Sequence, residues 1–431
     1  MNIKNIEIGT RVKLHTKQGD FECVVLEAPE SGIILAKLDS GYNIGIKEED
    51  ILDLNVIKEK AEKTSKKIEF KKITPDKNLP NIALVSTGGT ISSRLDYKTG
   101  GVKWLTNPDE LLNFYPELLG IANIIKVEMP FMKASENMSS KEWKKLSDVV
   151  SRLLNNSNVQ GVIVTHGTDF LHYSASALAF ALKNLNKPVV LTYSQRSSDR
   201  ASSDARLNLL CSARVAVSEI AEVMLVGHAN LDDEFCYALP ATKVRKMHSS
   251  RRDTFRPINA KPIAKVWADK IETLKSYNKR DNGKKVKLVN KFSDKVALVK
   301  FYPGQNPDIL EYYFKHGYKG IVLETSGLGH LLTEGKNNWI PKLKKAIKAG
   351  MIICATAQTI YGSLNPLVYS AGRELEKTGI IYLKDMLSET AFVKLSLVLG
   401  NPVFKKDIKR AMLTNFAGEF NNCLYEDEFL N

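Results

Sequence analysis

The sequence predicts a two-domain α/β fold, with mostly parallel sheets and flanking helices, preceded by a small all-β barrel. Three observations carry this expectation. From about residue 79 onward, short apolar runs rich in β-branched residues alternate with helix-period segments, the rhythm of parallel strands covered by helices. Residues 7–53 instead break into four or five short strands of alternating polarity, separated by glycine turns. Finally, 431 residues exceed what one core organises, and a Lys/Asn-rich stretch at 277–294 interrupts the α/β rhythm once. The expected division is a barrel over 1–57, a charged linker over 58–78, a first α/β domain over 79–282, a linker over 283–294, and a second, smaller α/β domain over 295–431.

Each element has its own signal. RVKLHT, FECVVLEA, GIILAKLD and YNIGIK alternate apolar and polar positions, with breaks at Gly19-Asp20, Ser31-Gly32 and Ser40-Gly41. The stretch KEKAEKTSKKIEFKKITPDK lacks a sustained apolar face and reaches Pro75, as an exposed linker would. Strands follow at 81–86, 161–165, 189–194 and 223–228, with a helix over 170–185. After the interruption come strands at 296–301, 320–325 and 351–356, and helices over 308–317, 338–349 and around 386–400. No repeat of fixed period is visible.

Composition narrows the class. Apolar residues make up 43% and charged residues 26%, which excludes a disordered tail or a fibre. No window approaches eighteen apolar residues and no secretory apolar run opens the chain, so the expected setting is the cytoplasm, with no membrane span. Five scattered cysteines without a CxxC pair fit reduced core thiols rather than a disulfide framework or zinc site. The net charge of +14 is unevenly placed. Residues 1–57 hold six basic and ten acidic side chains, so an anionic partner such as RNA would be drawn to the body.

Two polar constellations sit just past strand ends, where ligands of parallel sheets bind. Ser86-Thr87-Gly88-Gly89-Thr90-Ile91 offers hydroxyls beside a backbone that can approach a ligand closely. It reads either as a nucleophile beside an oxyanion hole or as a structural or phosphate-cradling turn; no GK[ST] follows, so it is not a P-loop. Thr165-His166-Gly167-Thr168-Asp169 reads either as a second reactive cluster or as the N-cap of the following helix. A third segment places Lys246 in a dense cationic run (Lys243, Arg245, Lys246, Arg251, Arg252, Arg256), which alone would be a solvated or RNA-facing patch. His15, His172 and His316 lack ligand-like spacing and read as surface or packing residues.

STGGTI followed by THGTD and then KMHSSRRDTF closely resembles the bacterial-type L-asparaginase/glutaminase family, over roughly residues 79–400. The resemblance implies Thr90 as nucleophile with Tyr97 as its partner, and Thr168, Asp169 and Lys246 as a second triad. It also implies that Asp169 holds the substrate α-ammonium and Ser135 its α-carboxylate, with Gly89 and Glu136 beside them. Free asparaginases usually carry Gln where this chain has Glu136, and Ala-Met-Arg-Pro where it has Ser194-Gln195-Arg196-Ser197-Ser198-Asp199-Arg200. Those segments, with KLDSGYNIGI, are similar to the glutaminase subunits of archaeal tRNA-dependent amidotransferases. That similarity implies glutamine as substrate, and Gly327-Leu328-Gly329-His330, which lies where asparaginases reach into the neighbouring subunit's site, implies a homodimer of this chain. The similarity further implies a second amidotransferase subunit, a partner that uses ATP and Mg to amidate Glu-tRNA(Gln), with no metal or organic cofactor in this chain. The alternative is a free-standing cytosolic L-asparaginase/glutaminase.

Overall fold

The structure, a computed structural model, describes residues 6–28, 31–40, 43–58, 74–89, 91, 93–95, 102–104, 115–196 and 202–429. Thr90, Tyr97 and most of the expected 58–78 linker lie outside them.

Strands β1 (Arg11–Thr16), β2 (Gly19–Leu26), β3 (Ile33–Leu38), β4 (Asn43–Lys47) and β5 (Ile51–Lys58) form an antiparallel sheet in the order β4-β3-β2-β1-β5. The period-two pattern of RVKLHT buries Val12 and Leu14, which pack with Cys23, Val25, Ile34, Ala36, Ile46 and Leu54. Two register shifts in the β1–β5 ladder, after Arg11 and after His15, add local twist to this small sheet.

The first α/β domain is built on β6 (Asn81–Ser86), β7 (Asn123–Glu128), β8 (Gly161–Thr165), β9 (Val189–Thr192) and β10 (Val223–His228). These run parallel in the order β10-β9-β8-β6-β7. An antiparallel extension of β11 (Cys236–Pro240), β14 (Ala264–Val266) and β15 (Ile271–Thr273) continues the sheet beyond β10, while β12 (Val244–Lys246) and β13 (Phe255–Pro257) form a separate hairpin. Alternation along β6 sends Ile82 and Leu84 to one core and Ala83 and Val85 to the other. Helix α1 (Ser140–Leu154) and helix α2 (Leu171–Ala181) cover the second of these faces, and α3 (Ala205–Ala216) covers the first. Helix α1 begins at a capping box in which Ser139 N–H donates to Glu142 Oε2 at 2.8 Å. The expected 170–185 helix stops at Ala181, because Leu182 and Lys183 pair with Leu288 and Lys287, and Asn184 turns at φ 56°.

The second α/β domain has four parallel strands in chain order: β16 (Val296–Lys300), β17 (Gly320–Thr325), β18 (Ile352–Ala357) and β19 (Ile381–Tyr382). Helices α4 (Ile309–Lys315), α5 (Ile340–Lys348) and α6 (Ser370–Glu376) bury Leu310, Leu343 and Leu375 on one face. Helix α7 (Ser388–Gly400) buries Ala391, Leu395 and Val398 on the other. The two domains meet where Ala177 and Phe180 of α2 pack with Trp143 and with Val393 and Leu397 of α7. The Lys/Asn-rich stretch is stitched to the first domain: Asn278 C=O accepts from Ala221 N–H at 2.8 Å, and Val289 N–H donates to Ala181 C=O at 2.9 Å. Among the described residues no helix is long and apolar enough to cross a membrane.

Candidate active site

Strands β6 and β8 are neighbours in register, Ser86 opposite Thr165, so the segments after them leave the sheet side by side. Thr87 fastens them, its N–H and its hydroxyl both donating to the Thr165 carbonyl, at 3.1 and 2.9 Å. Gly88 (φ 121°) and Gly89 (φ 86°) occupy backbone regions that favour glycine. A Cβ on Gly88 would lie 2.6 Å from the Lys133 carbonyl oxygen, and one on Gly89 2.8 Å from the Gly167 nitrogen. The paired glycines therefore let three segments close on one another: 87–89, 133–136 and 166–170.

Gly89→Ala should consequently lower the melting temperature, at a cost of about 1–3 kcal/mol, since neither the φ nor the backbone contact can relax cheaply. Gly120→Ala, where a Cβ would meet nothing within 4 Å, is the matched control. Equal melting of the two variants by calorimetry would contradict this packing.

His166 is buried and ties the second segment down, with Nε2 2.9 Å from Ser174 Oγ and Nδ1 2.7 Å from the Gly167 carbonyl. Burial pushes its pKa down to about 4, so the ring is neutral. Ser135, also buried, accepts from Phe170 N–H at 3.3 Å, and Glu136 beside it is exposed. Both line a cavity of about 350 Å³ at the domain junction with Trp143, Phe170 and Phe392.

Lys246 ends β12, where its pairing with Phe255 aims it at the loop after β8. Its Nζ donates to Thr168 Oγ1 at 2.9 Å and ion-pairs with Asp169 Oδ1 at 2.8 Å. The lysine side chain is 10% exposed, the Asp169 side chain 62%. A protected amine thus touches a hydroxyl, while the carboxylate remains open to a ligand. The N-cap reading of Thr168 and Asp169 does not hold, because α2 is capped at Phe170 without a side-chain bond.

The cationic run is not a free basic patch. Lys243 pairs with Asp385, Arg245 with Glu389, Lys246 with Asp169, Arg251 and Arg256 with Asp253, and Arg252 with Asp233. Burial raises the Asp253 pKa, but bonds and charge from Arg251 and Arg256 outweigh it and hold the carboxyl below its usual range.

The structure brings together Gly89, Ser135, Thr168, Asp169 and Lys246; Thr90 and Tyr97 lie outside the described residues. It adds Gln195, whose Oε1 accepts from the Thr168 hydroxyl at 3.4 Å. The buried Asp204 carboxylate fixes that loop by accepting from Ser194 Oγ and the N–H groups of Gln195 and Arg196. The departure of 194–200 from the family pattern is the signal that points to Gln195. His172, a packing residue by its spacing, is buried with Nδ1 unpartnered among the described residues.

Comparison with known proteins identifies the family. The family description "Asparaginase, N-terminal" matches residues 81–279, "Glutaminase/Asparaginase C-terminal domain" matches 295–412, and "GatD N-terminal domain" matches 6–57. Among solved structures, the thermostable L-asparaginase from Thermococcus kodakarensis superposes with a TM-score of 0.70 at 27% identity, covering 80% of this chain and all of that one. Fold and site together define an α/β protein of the asparaginase/glutaminase class. Full-length likeness is narrower: the GatD subunit of glutamyl-tRNA(Gln) amidotransferase from T. kodakarensis is 47% identical over 100% of this chain and 98% of its own length. Its counterpart from Pyrococcus furiosus is 46% identical over 99% and 98%, and that from Methanopyrus kandleri 40% over 96% and 92%. The chain belongs to the GatD family of glutamyl-tRNA(Gln) amidotransferase subunits.

Proposed function

We propose that this chain is the glutaminase component of a Glu-tRNA(Gln) amidotransferase, releasing ammonia from glutamine for its amidating partner, GatE. The observation that carries the reading is the contact of Lys246 with both Thr168 and Asp169, directly beside the Gly88-Gly89 turn. The Thr90 hydroxyl, partnered by Tyr97, attacks the side-chain carboxamide carbon. Its proton passes to the leaving nitrogen, ammonia departs, and an acyl-threonine ester remains. Lys246 and Thr168 then serve the water that cleaves the ester to glutamate. Backbone N–H groups of the glycine turn and the Thr168 hydroxyl bear the developing oxyanion. Asp169 takes the α-ammonium and Ser135 the α-carboxylate, with Glu136 and Gly89 framing the pocket.

None of these steps calls for a metal or organic cofactor in this chain; ATP and Mg act at GatE, where Glu-tRNA(Gln) becomes Gln-tRNA(Gln). The setting is cytoplasmic and the chain acts as a homodimer within the complex. Ammonia release from glutamine and from asparagine, measured for the chain alone and with GatE and Glu-tRNA(Gln), tests the reading. Slow glutamine hydrolysis that rises with partner and tRNA is expected. Fast, partner-independent turnover of asparagine would replace it with a free asparaginase.

A further inference from the structure

The second α/β domain grips the strand that carries Lys246 on either side of Val244. Lys243, nearly fully buried, pairs with Asp385 Oδ2 at 2.5 Å and donates to the Asp385 carbonyl at 3.1 Å. Arg245 Nε lies 3.2 Å from Glu389 Oε1 in the first turn of α7. The next residue of α7, Thr390, donates its hydroxyl to the Thr242 carbonyl at 3.0 Å. Glu389 is 6% exposed, and its second oxygen, Oε2, is buried without a hydrogen-bond partner among the described residues. Arg245, Lys246, Asp169, His172 and Glu389 line one cavity of about 400 Å³.

We propose that Arg245 and Glu389 are positioning residues for Lys246, anchoring its strand to α7 and balancing the charge that Lys246 meets across their shared cavity. This rests on the role given to Lys246 above. A guanidinium stays charged throughout the working pH range, so it cannot shed its influence on a neighbouring amine. Opposite Glu389 it forms a neutral pair; without Glu389 it would disfavour the ammonium form of Lys246, and a carboxylate left alone would favour it.

The other groups facing the cavity are few. Asp169, from the loop before α2, already pairs with Lys246. From α2, burial keeps His172 neutral, with its pKa pushed down to about 3, and burial also raises the Tyr173 hydroxyl well above its ordinary range. His248, from the turn after β12, uses Nδ1 to accept from the N–H groups of Ser250 and Arg251. Glu324 on β17 acts on Glu389 from the second domain, alongside Arg245. Burial raises the Glu389 carboxyl and Arg245 opposes that rise.

The test is kcat/KM for ammonia release from glutamine by the full chain with GatE, recorded from pH 6 to pH 10. Glu389→Gln should move the pH-dependent limb of that profile to lower pH, by roughly 0.5 unit or more at an effective dielectric near 20. Arg245→Met should move it the other way, and the double variant Arg245→Met/Glu389→Gln should return it to the wild-type position with kcat still reduced. Glu389→Asp, which keeps the charge, guards against a Glu389→Gln chain that does not fold; it should leave the limb in place. Uniform loss of kcat with an unmoved limb would reduce the pair to a structural contact and overturn the proposal. Lys246→Arg, assayed in parallel, separates the two ideas: if it retains activity, the role of Lys246 has failed, not that of the pair.

Discussion

Thr90→Val should lower ammonia release from glutamine by roughly 10³-fold or more while the chain still folds. Valine keeps the branched shape of threonine and deletes only the hydroxyl, so what is lost is the proposed attacking atom. The residues just before it, Thr87, Gly88 and Gly89, are held through contacts with Thr165, Lys133, His166 and Gly167. Melting should therefore move little. With GatE present, added ammonium should still support formation of Gln-tRNA(Gln), because the amidation step proposed for GatE does not use Thr90. Near-normal glutamine hydrolysis by the valine variant would remove Thr90 from the nucleophile position.

Lys246→Arg should be nearly as damaging as Lys246→Ala, each lowering kcat by roughly 10²- to 10³-fold. The lysine Nζ reaches Thr168 Oγ1 at 2.9 Å and Asp169 Oδ1 at 2.8 Å from a side chain that is 10% exposed. Arginine would preserve the ion pair with Asp169 but cannot give up a proton near neutral pH. Steady-state rates for the three proteins distinguish charge from proton transfer. Recovery of most activity in the arginine variant would mean that position 246 supplies charge alone.

The sheet cores were legible because their strands are short, β-branched and buried on both faces. NIALVS, GVIVT and VMLVGH needed no partner to be recognised. The antiparallel extension was not legible: CYALP ends in proline and AKV is three residues long, so neither declares a strand by itself. Helix α1 carries a readable capping box, Ser139 to Glu142, but a reading led by strand rhythm passes over it. Helix α3 buries ten of its twelve residues and so lacks the polar stripe that marks a helix.

At the site, resemblance named Thr168, Asp169 and Lys246, and the structure gave their contacts. The cationic run misled because all of its acids but Asp253 come from distant positions. Asp233 lies 19 residues from Arg252, Asp169 77 from Lys246, and Asp385 142 from Lys243. No local window contains those partners.

That distance has a consequence for how the molecule comes into being. The Lys246 strand is fixed by Asp385, Glu389 and Thr390, and the Ala417 carbonyl, 175 residues beyond Thr242, accepts that residue's hydroxyl. During synthesis the glycine turn, Thr168 and Lys246 all emerge well before the segments that lock them. At roughly 5–20 residues per second, about 140 residues more take on the order of ten seconds to appear. Closing so long a loop adds slowly growing entropy but delays the contact, so the active centre matures among the last parts of the chain to form. A nascent first domain would thus leave the ribosome unable to consume glutamine, and the amide would be opened only once the second domain is in place.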